Sequence, residues 1–326
     1  MLGGALISRP VRITLQVLVS AGVLAYLIWQ INLRQTIDLI ASSNGWYLLA
    51  SYVIFLVTTV GMAWRWKALL ASKGINEPLA WLTKIYFIGY AAGQVLPTSI
   101  GGDTVRIAAH ARRRPDVKGE AAGAVLMERV LGSAGSLVLV AIGLVLAVGR
   151  YNNIEEVLIL EIALSVGLVL ALALMFSRRT NAWLQERGGT RTLARGFRSL
   201  WDALHGYRAQ PRALLVVLGA TVVFQFIRIL SIWLCGKAVG IDVSPLVYVI
   251  MGPLLFLVML VPFTINGLGV REAFFIAFLG RFGVDADAAF ATGFLFYAVT
   301  VAASIPGGAI MIWESLRPAL MRPREG

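Results

Sequence analysis

Long apolar runs separated by short, basic intervals dominate the chain. A helix that crosses the hydrocarbon core of a bilayer needs about 20 apolar residues. Runs of that kind lie at 11–31, 46–70, 120–149, 155–176, 213–237 and 287–313, and they predict six full spans. Two shorter runs, 80–96 and 246–261, each stop at a cluster of helix breakers and polar residues and are followed by a further short helix. Each reads as half a helix, a break, and a second half.

The two breaks are alike. Pro97, Ile100, Gly102, Val105 and Arg106 recur as Pro262, Ile265, Gly267, Val270 and Arg271 at identical spacing, and Ser99 is answered by Thr264. Ahead of each break, Gly74-Ile75-Asn76-Glu77-Pro78 is echoed by Gly240-Ile241-Asp242-Val243-Ser244-Pro245, and Arg65 by Arg228. The order span, span, hairpin, span therefore occurs twice. The reading is one membrane domain made of repeat one, 11–149, and repeat two, 155–316, with a cytoplasmic basic linker at 178–212.

Lys and Arg concentrate in cytoplasmic loops. If 80–114 enters and leaves on one side, most of the 29 basic residues, including those of 178–212, fall on the cytoplasmic side. If it crosses, the arginine-rich linker faces outward. The charge pattern thus predicts two re-entrant helical hairpins, the first entered from the cytoplasm and the second from outside, with both termini cytoplasmic. An odd number of crossings per repeat inverts the second copy. Inverted-topology repeats bring broken helices together near the bilayer midplane, where secondary transporters bind substrate. In the linker, Leu193, Phe197, Leu200, Trp201 and Leu204 recur at helical spacing with arginines on other faces, a pattern that suits a helix lying on the cytoplasmic lipid surface.

Composition agrees and removes competing classes. The 326 residues are 58% hydrophobic and 14% charged, with a mean hydropathy of +0.78, whereas soluble domains carry about 25% charged residues. The chain is an all-α polytopic membrane protein. Its net charge of +12 is distributed between apolar runs instead of on one polar face, which favours membrane orientation over nucleic-acid binding. The single cysteine, Cys235, excludes an intrachain disulfide and a cysteine-built metal cluster, and His110 and His205 alone do not make a histidine site. No metal or cofactor is expected. The stretch 13–29 follows Arg9 and Arg12 as a signal peptide would, but no small-residue cleavage pattern comes after it, so it reads as an uncleaved first span in a bacterial inner membrane.

Irregular backbone at membrane depth must be buried in protein or line a wet cavity. Gly101, Gly102, Gly267 and Gly269 permit tight turns there. Helices restarting near Thr104 and Val270 aim their N-terminal amides at the breaks, which favours an anion. With Arg106 and Arg271 in those first turns and Arg129 adding positive charge, the set predicts a phosphate cradle. Asp103 reads as a helix N-cap or as a coupling group. Glu128 and Arg129 interrupt an apolar helix, and helical neighbours point about 100° apart, so each needs a partner elsewhere.

Asp103, Arg106, Glu128, Arg129, Arg228, Arg271 and Glu272 would each cost about 2.5 to 3.5 kcal/mol if scattered through lipid. Convergence on one polar cavity is cheaper, with Asp103, Glu128, Glu272 and Arg228 serving charge balance or proton coupling. Structural salt bridges between the repeats are the competing reading. Trp64-Arg65-Trp66-Lys67 reads as an aromatic belt with snorkelling cations, and Glu314 as an interfacial residue. A nucleotide-binding Gly-rich loop ending in Lys-Ser/Thr and a Gly-x-Ser-x-Gly elbow are both absent from the sequence, so no enzyme is expected.

These residues resemble a known family, the flippase-like membrane domain of lysylphosphatidylglycerol synthases, which stand-alone proteins of the UPF0104 type share. The resemblance covers nearly the whole chain. It is carried by Arg65-Trp66, Leu96-Pro97, Gly101-Gly102-Asp103, Arg106, Glu128-Arg129 with Gly132, and Pro262 with Gly267-Leu268-Gly269-Val270-Arg271-Glu272. It implies a membrane protein that moves lipids with modified headgroups between leaflets, beside hopanoid, glycolipid or polyprenyl-phosphate chemistry. In the full-length synthases a soluble aminoacyl-transfer domain follows the membrane part, so lysylation is not expected of these 326 residues alone.

The expected function is a lipid flippase or transporter for a phospholipid, aminoacyl-phospholipid, glycolipid or polyprenyl-phosphate-linked intermediate. Its expected partners are membrane lipids and an envelope glycosyltransferase or aminoacyl-transfer enzyme. Two rivals predict different observations. A lipid-modifying membrane enzyme would form product in detergent when given a donor. A scaffold acting through 178–212 would co-purify with a stoichiometric partner and transport nothing.

Overall fold

A computed structural model describes residues 21–22, 25–29, 31–96, 101–149, 155–177, 201–259, 267 and 269–320, and the regular structure among them is helical. The frame consists of α1 (Leu33–Ala41), α2 (Gly45–Ala71), α3 (Leu79–Val95), α4 (Gly101–Arg113), α5 (Lys118–Ala147), α6 (Glu155–Phe176), α7 (Pro211–Ala238), α8 (Pro245–Met259), α9 (Val270–Gly280) and α10 (Ala286–Leu320).

Local polar signals set the helix ends. Asn44 caps α2 by accepting the Trp46 amide at 3.0 Å. At its other end Gly74 turns with φ +77°. The Ile75 amide reaches back to the Leu70 carbonyl at 3.0 Å, and the Gly74 amide to that of Ala71 at 2.9 Å. The end of α7 is built the same way. Gly240 has φ +83°, Ile241 donates to Gly236 at 3.0 Å, and Gly240 donates to Lys237 at 3.1 Å. Both are Schellman closures, which require a left-handed residue that glycine adopts without a Cβ penalty. Ile75 and Ile241 are buried behind them. Pro78 and Pro245 then start α3 and α8. The echoed sequences at 74–78 and 240–245 thus make the same loop.

Four described helices are long and apolar enough to cross a membrane: Gly45–Ala71, Pro115–Ala147, Pro211–Ala238 and Ala286–Leu316. Their outer faces carry exposed Val57, Val145, Leu215, Val216 and Ile305. Such exposure is unfavourable in water and ordinary in lipid. Of the other two expected spans, 155–176 is the apolar helix α6, and 11–31 lies mostly outside the described residues.

The turns of the two expected hairpins, 97–100 and 260–266, also lie outside the described residues. The helices flanking them do not. α3 and α4 run back along each other, because a Cβ on Gly102 would sit 2.5 Å from the Gly89 carbonyl oxygen and one on Gly89 would sit 3.1 Å from Arg106 Cγ. α8 and α9 also touch.

Helix packing has an internal regularity. α2 packs most extensively on α7, α3 on α10, and α8 on α5. Exchanging α2 with α7, α3 with α8, α4 with α9 and α5 with α10 turns each substantial contact among these eight helices into another that is present. The crossings of α3 with α10 and α5 with α8 are both opened by a glycine. A Cβ on Gly307 would lie 1.9 Å from the Phe87 carbonyl oxygen, and one on Gly143 would lie 2.8 Å from Ile250 Cγ1.

From the linker, residues 201–212 are described, and 201–209 differ from the expected lipid-surface helix. Leu204 and Tyr207 are buried, and the Tyr207 hydroxyl donates to the Leu69 carbonyl at 3.2 Å. A Cβ on Gly123 would lie 2.6 Å from the Ala203 Cβ. This end of the linker therefore packs on α2 and α5. The segment 178–200 lies outside the described residues.

Candidate functional site

Glu128, within α5, is 2% exposed and gathers guanidinium groups from two other helices and a hydroxyl from a third. Arg65 of α2 donates to its Oε1 from Nη2 at 2.9 Å and from Nε at 3.2 Å. Arg106 of α4 donates to its Oε2 at 3.0 Å, and the Tyr86 hydroxyl of α3 also donates to Oε1. Arg106 continues the chain to Asp103 Oδ1, from Nε at 3.2 Å and from Nη2 at 2.5 Å. Arg129 of α5 donates to Asp103 Oδ2. Adjacent residues Glu128 and Arg129 thus each find a partner on another helix. The Arg106 guanidinium also lies over the Tyr86 ring at 4.0 Å and near the Trp66 ring at 5.1 Å.

Arg65, Glu128, Arg106, Asp103 and Arg129 form one alternating line of charge. Thr221 of α7 is tied to its end, accepting from Arg65 Nη1 at 3.1 Å. Buried ions need such partners, because removing one leaves an uncompensated charge in a medium that solvates it poorly.

These side chains form one wall of a half-enclosed cavity of about 430 Å³. Arg228 of α7 and Arg271 of α9 lie on the remaining lining, as do Gln94, Gln225, Gly102, Gly132 and Gly267. Phe55, Ile229, Pro253, Phe256 and Phe296 supply apolar wall. Arg228 donates to the Tyr90 hydroxyl at 2.7 Å and lies 4.3 Å from the centre of the Phe55 ring. The Arg271 guanidinium lies 4.8 Å from the centre of the Tyr297 ring. Among the described residues the lining holds five arginines, at 65, 106, 129, 228 and 271, against the two carboxylates of Asp103 and Glu128. The formal excess is three positive charges.

Most of the sequence-derived set meets at this cavity. Arg106, Arg129, Arg228, Arg271, Asp103, Glu128, Gly102 and Gly267 line it. Gly101, Gly269 and Glu272 are not on its wall. Gly101 is buried as the first residue of α4, and Gly269 caps α9 with φ +84°. Glu272 Oε2 accepts the Gly269 amide at 2.7 Å, so that carboxylate closes the first turn of α9. Asp103 lies inside the first turn of α4 instead of capping it, and both its oxygens are taken by arginines.

The aromatic-belt expectation at 64–67 requires correction. Arg65 is 5% exposed and Trp66 is fully buried. A counter-ion at Glu128 holds this guanidinium more strongly than the headgroup region, because the carboxylate needs the same partner. Trp64, which is 38% exposed, keeps the outward position. Glu314, at the other sequence-assigned interface, pairs with Lys84. Tyr86, Tyr90, Gln225 and Thr221 had no sequence signal beyond being polar or phenolic residues within apolar runs. Arg65 had one, its repetition as Arg228.

A bundle of apolar helices around an arginine-rich cavity defines a class: a multi-pass membrane protein whose polar site lies among its helices. The chain belongs to the family described as the lysylphosphatidylglycerol synthase transmembrane region, which it matches over residues 13–307. No curated protein matches it. The family and the apolar helices together make it a membrane protein of lipid-related function.

Proposed function

We propose that the protein is a lipid transporter of the flippase type, which carries a phosphate-bearing lipid between the leaflets of a bacterial inner membrane. The observation that carries this reading is the cavity, where an excess of positive charge and apolar walls occur together. A phosphate headgroup satisfies the first and an acyl or prenyl chain the second. Arg271, Arg129 and Arg228 hold the phosphate, while Arg106 with Asp103 and Glu128 fixes the geometry of the opposite wall.

In this reading α3–α4 and α8–α9 are two re-entrant hairpins, and the four described spans are joined by α6 and a first helix at 11–31 to make six. The exchange symmetry of the helix contacts supports a repeat, and the distribution of basic residues orients it as an inverted one with both termini cytoplasmic. Rocking of one repeat against the other exposes the cavity alternately. No group transfer is assigned to the site, and an envelope glycosyltransferase or aminoacyl-transfer enzyme is the proposed functional partner.

The test is reconstitution of the protein into liposomes with fluorescent phospholipids, following dithionite-accessible fluorescence over time. The protein accelerates translocation above protein-free vesicles, and the Arg129→Gln, Arg271→Gln double variant slows it. Hydrogen bonds to charged groups contribute about 1.5–3 kcal/mol each, so the loss is about tenfold or more. No acceleration by the folded wild type rules out the reading.

A further inference from the structure

Resting on the lipid-transport reading above, we propose that the cavity selects headgroups bearing two negative charges, a phosphomonoester or a diphosphate, and that Arg228 reads the second charge. In the first half of the molecule every lining arginine has a carboxylate partner, three guanidinium groups sharing two carboxylates with one positive charge in excess. Arg65 and Arg106 share Glu128, and Arg106 and Arg129 share Asp103. The sequence counterpart of Arg65 is Arg228, and no carboxylate among the described residues pairs with it. Its polar contact is the Tyr90 hydroxyl at 2.7 Å, and its Nε is buried without a hydrogen-bond partner. A guanidinium does not deprotonate to relieve this, so a ligand anion is the counter-ion that completes it.

The charge inventory sets how much anion is needed. The lining carries an excess of three positive charges. Glu272, held in the first turn of α9 next to Arg271 and off the cavity wall, reduces that to two. The hairpin turns 97–100 and 260–266 contain no ionisable side chain, so they leave the count unchanged. A zwitterionic headgroup leaves both charges uncompensated and a phosphodiester leaves one. An aminoacylated headgroup brings ammonium groups to a site whose wall carboxylates are already engaged by arginines. A dianionic phosphate balances the wall.

Specific contacts fit the same ligand. The Phe55 ring, 4.3 Å from the Arg228 guanidinium, fixes the cation in place. Tyr90 accepts from Arg228 and is left with its own O–H to donate to a phosphate oxygen.

The experiment titrates the full-length protein in detergent at pH 8 with dioctanoyl phosphatidic acid, phosphatidylglycerol and phosphatidylethanolamine, read by intrinsic tryptophan fluorescence. Phosphatidic acid binds about tenfold or more tightly than phosphatidylglycerol, since one charge-assisted contact is worth about a decade in affinity. A phosphomonoester loses its second charge near about pH 6, so the preference shrinks as pH falls below that value while phosphatidylglycerol binding stays level. Arg228→Gln abolishes the preference, Arg228→Lys keeps most of it, and thermal unfolding confirms that both variants fold.

Equal or tighter binding of phosphatidylglycerol by the wild type at pH 8 overturns the charge rule without using a variant and leaves lipid transport standing. A preference that survives in folded Arg228→Gln removes Arg228 from the assignment. Glycerol 3-phosphate and inorganic phosphate are run alongside. If they bind as tightly as phosphatidic acid, the ligand is a soluble dianion, which keeps the charge rule and overturns the lipid reading. Binding of none of these ligands overturns both.

Discussion

Glu128 is the residue on which the charged wall depends. It satisfies Arg65 and Arg106 from α2 and α4 and receives Tyr86 from α3. Glu128→Gln keeps the volume but takes the carboxylate from buried Arg65 and leaves Arg106 with Asp103 alone, and loss of one partner of a buried pair costs about 3–5 kcal/mol. Thermal unfolding in detergent should register that loss. A further Arg65→Gln on the same background should add less than Arg65→Gln does alone, because the pair is already broken. An additive double variant rejects the coupling. The sequence marked Glu128 as unable to pair with its neighbour Arg129. It did not name the partner, since Arg65 is 63 residues away in the chain and only the packing of α2 on α5 brings them together.

Among elements, the telling contacts are where helices meet through glycine. At Gly307 the nearest obstacle to a side chain is the Phe87 carbonyl oxygen, a backbone atom of α3 that moves only with its helix. Gly307→Ala therefore forces α10 and α3 apart and should cost about 1–3 kcal/mol, the usual penalty of overpacking. Gly219 of α7 has no neighbour within 4 Å of an added Cβ. There Ala should leave stability unchanged or raise it by up to about 1 kcal/mol through helix propensity. Denaturation of the two variants side by side separates crossing geometry from propensity, and equal effects would contradict this account. Neither distinction is legible in the sequence, where both are glycines in apolar runs. The loops after α2 and α7 were legible, because Gly-Ile-x-x-x-Pro and its near copy encode a left-handed turn, a buried C-terminal contact and a following helix start within a few residues.

At the scale of the whole molecule, the repeat makes a prediction about sides. Asn76 and Asp242 occupy equivalent places in the two Schellman loops, and both are exposed. The single cysteine, Cys235, is fully buried, so the native background toward an impermeant maleimide is low. In intact cells or oriented vesicles, Asn76→Cys and Asp242→Cys should label from opposite faces of the membrane, Asp242→Cys from outside. Labelling of both from one face rejects the inverted repeat and with it the alternating exposure of the cavity.

The sequence by itself determined that the chain is helical, apolar and membrane-embedded, that its two halves echo each other, and which charged residues had to be sheltered. Those properties are local or compositional: run length, breaker residues and the expense of charge in lipid act on the chain wherever it folds. Tertiary structure alone decided which charges neutralise one another. Two carboxylates and five arginines are among the described residues of the cavity lining, and which arginine is left for a ligand depends on helix crossings set by side-chain volume. Those crossings hold Arg65 on Glu128 and Arg228 against Tyr90 and Phe55. Arg106 and Arg228 look equivalent as isolated cations in apolar sequence, and packing is what separates a fixed wall from an open contact.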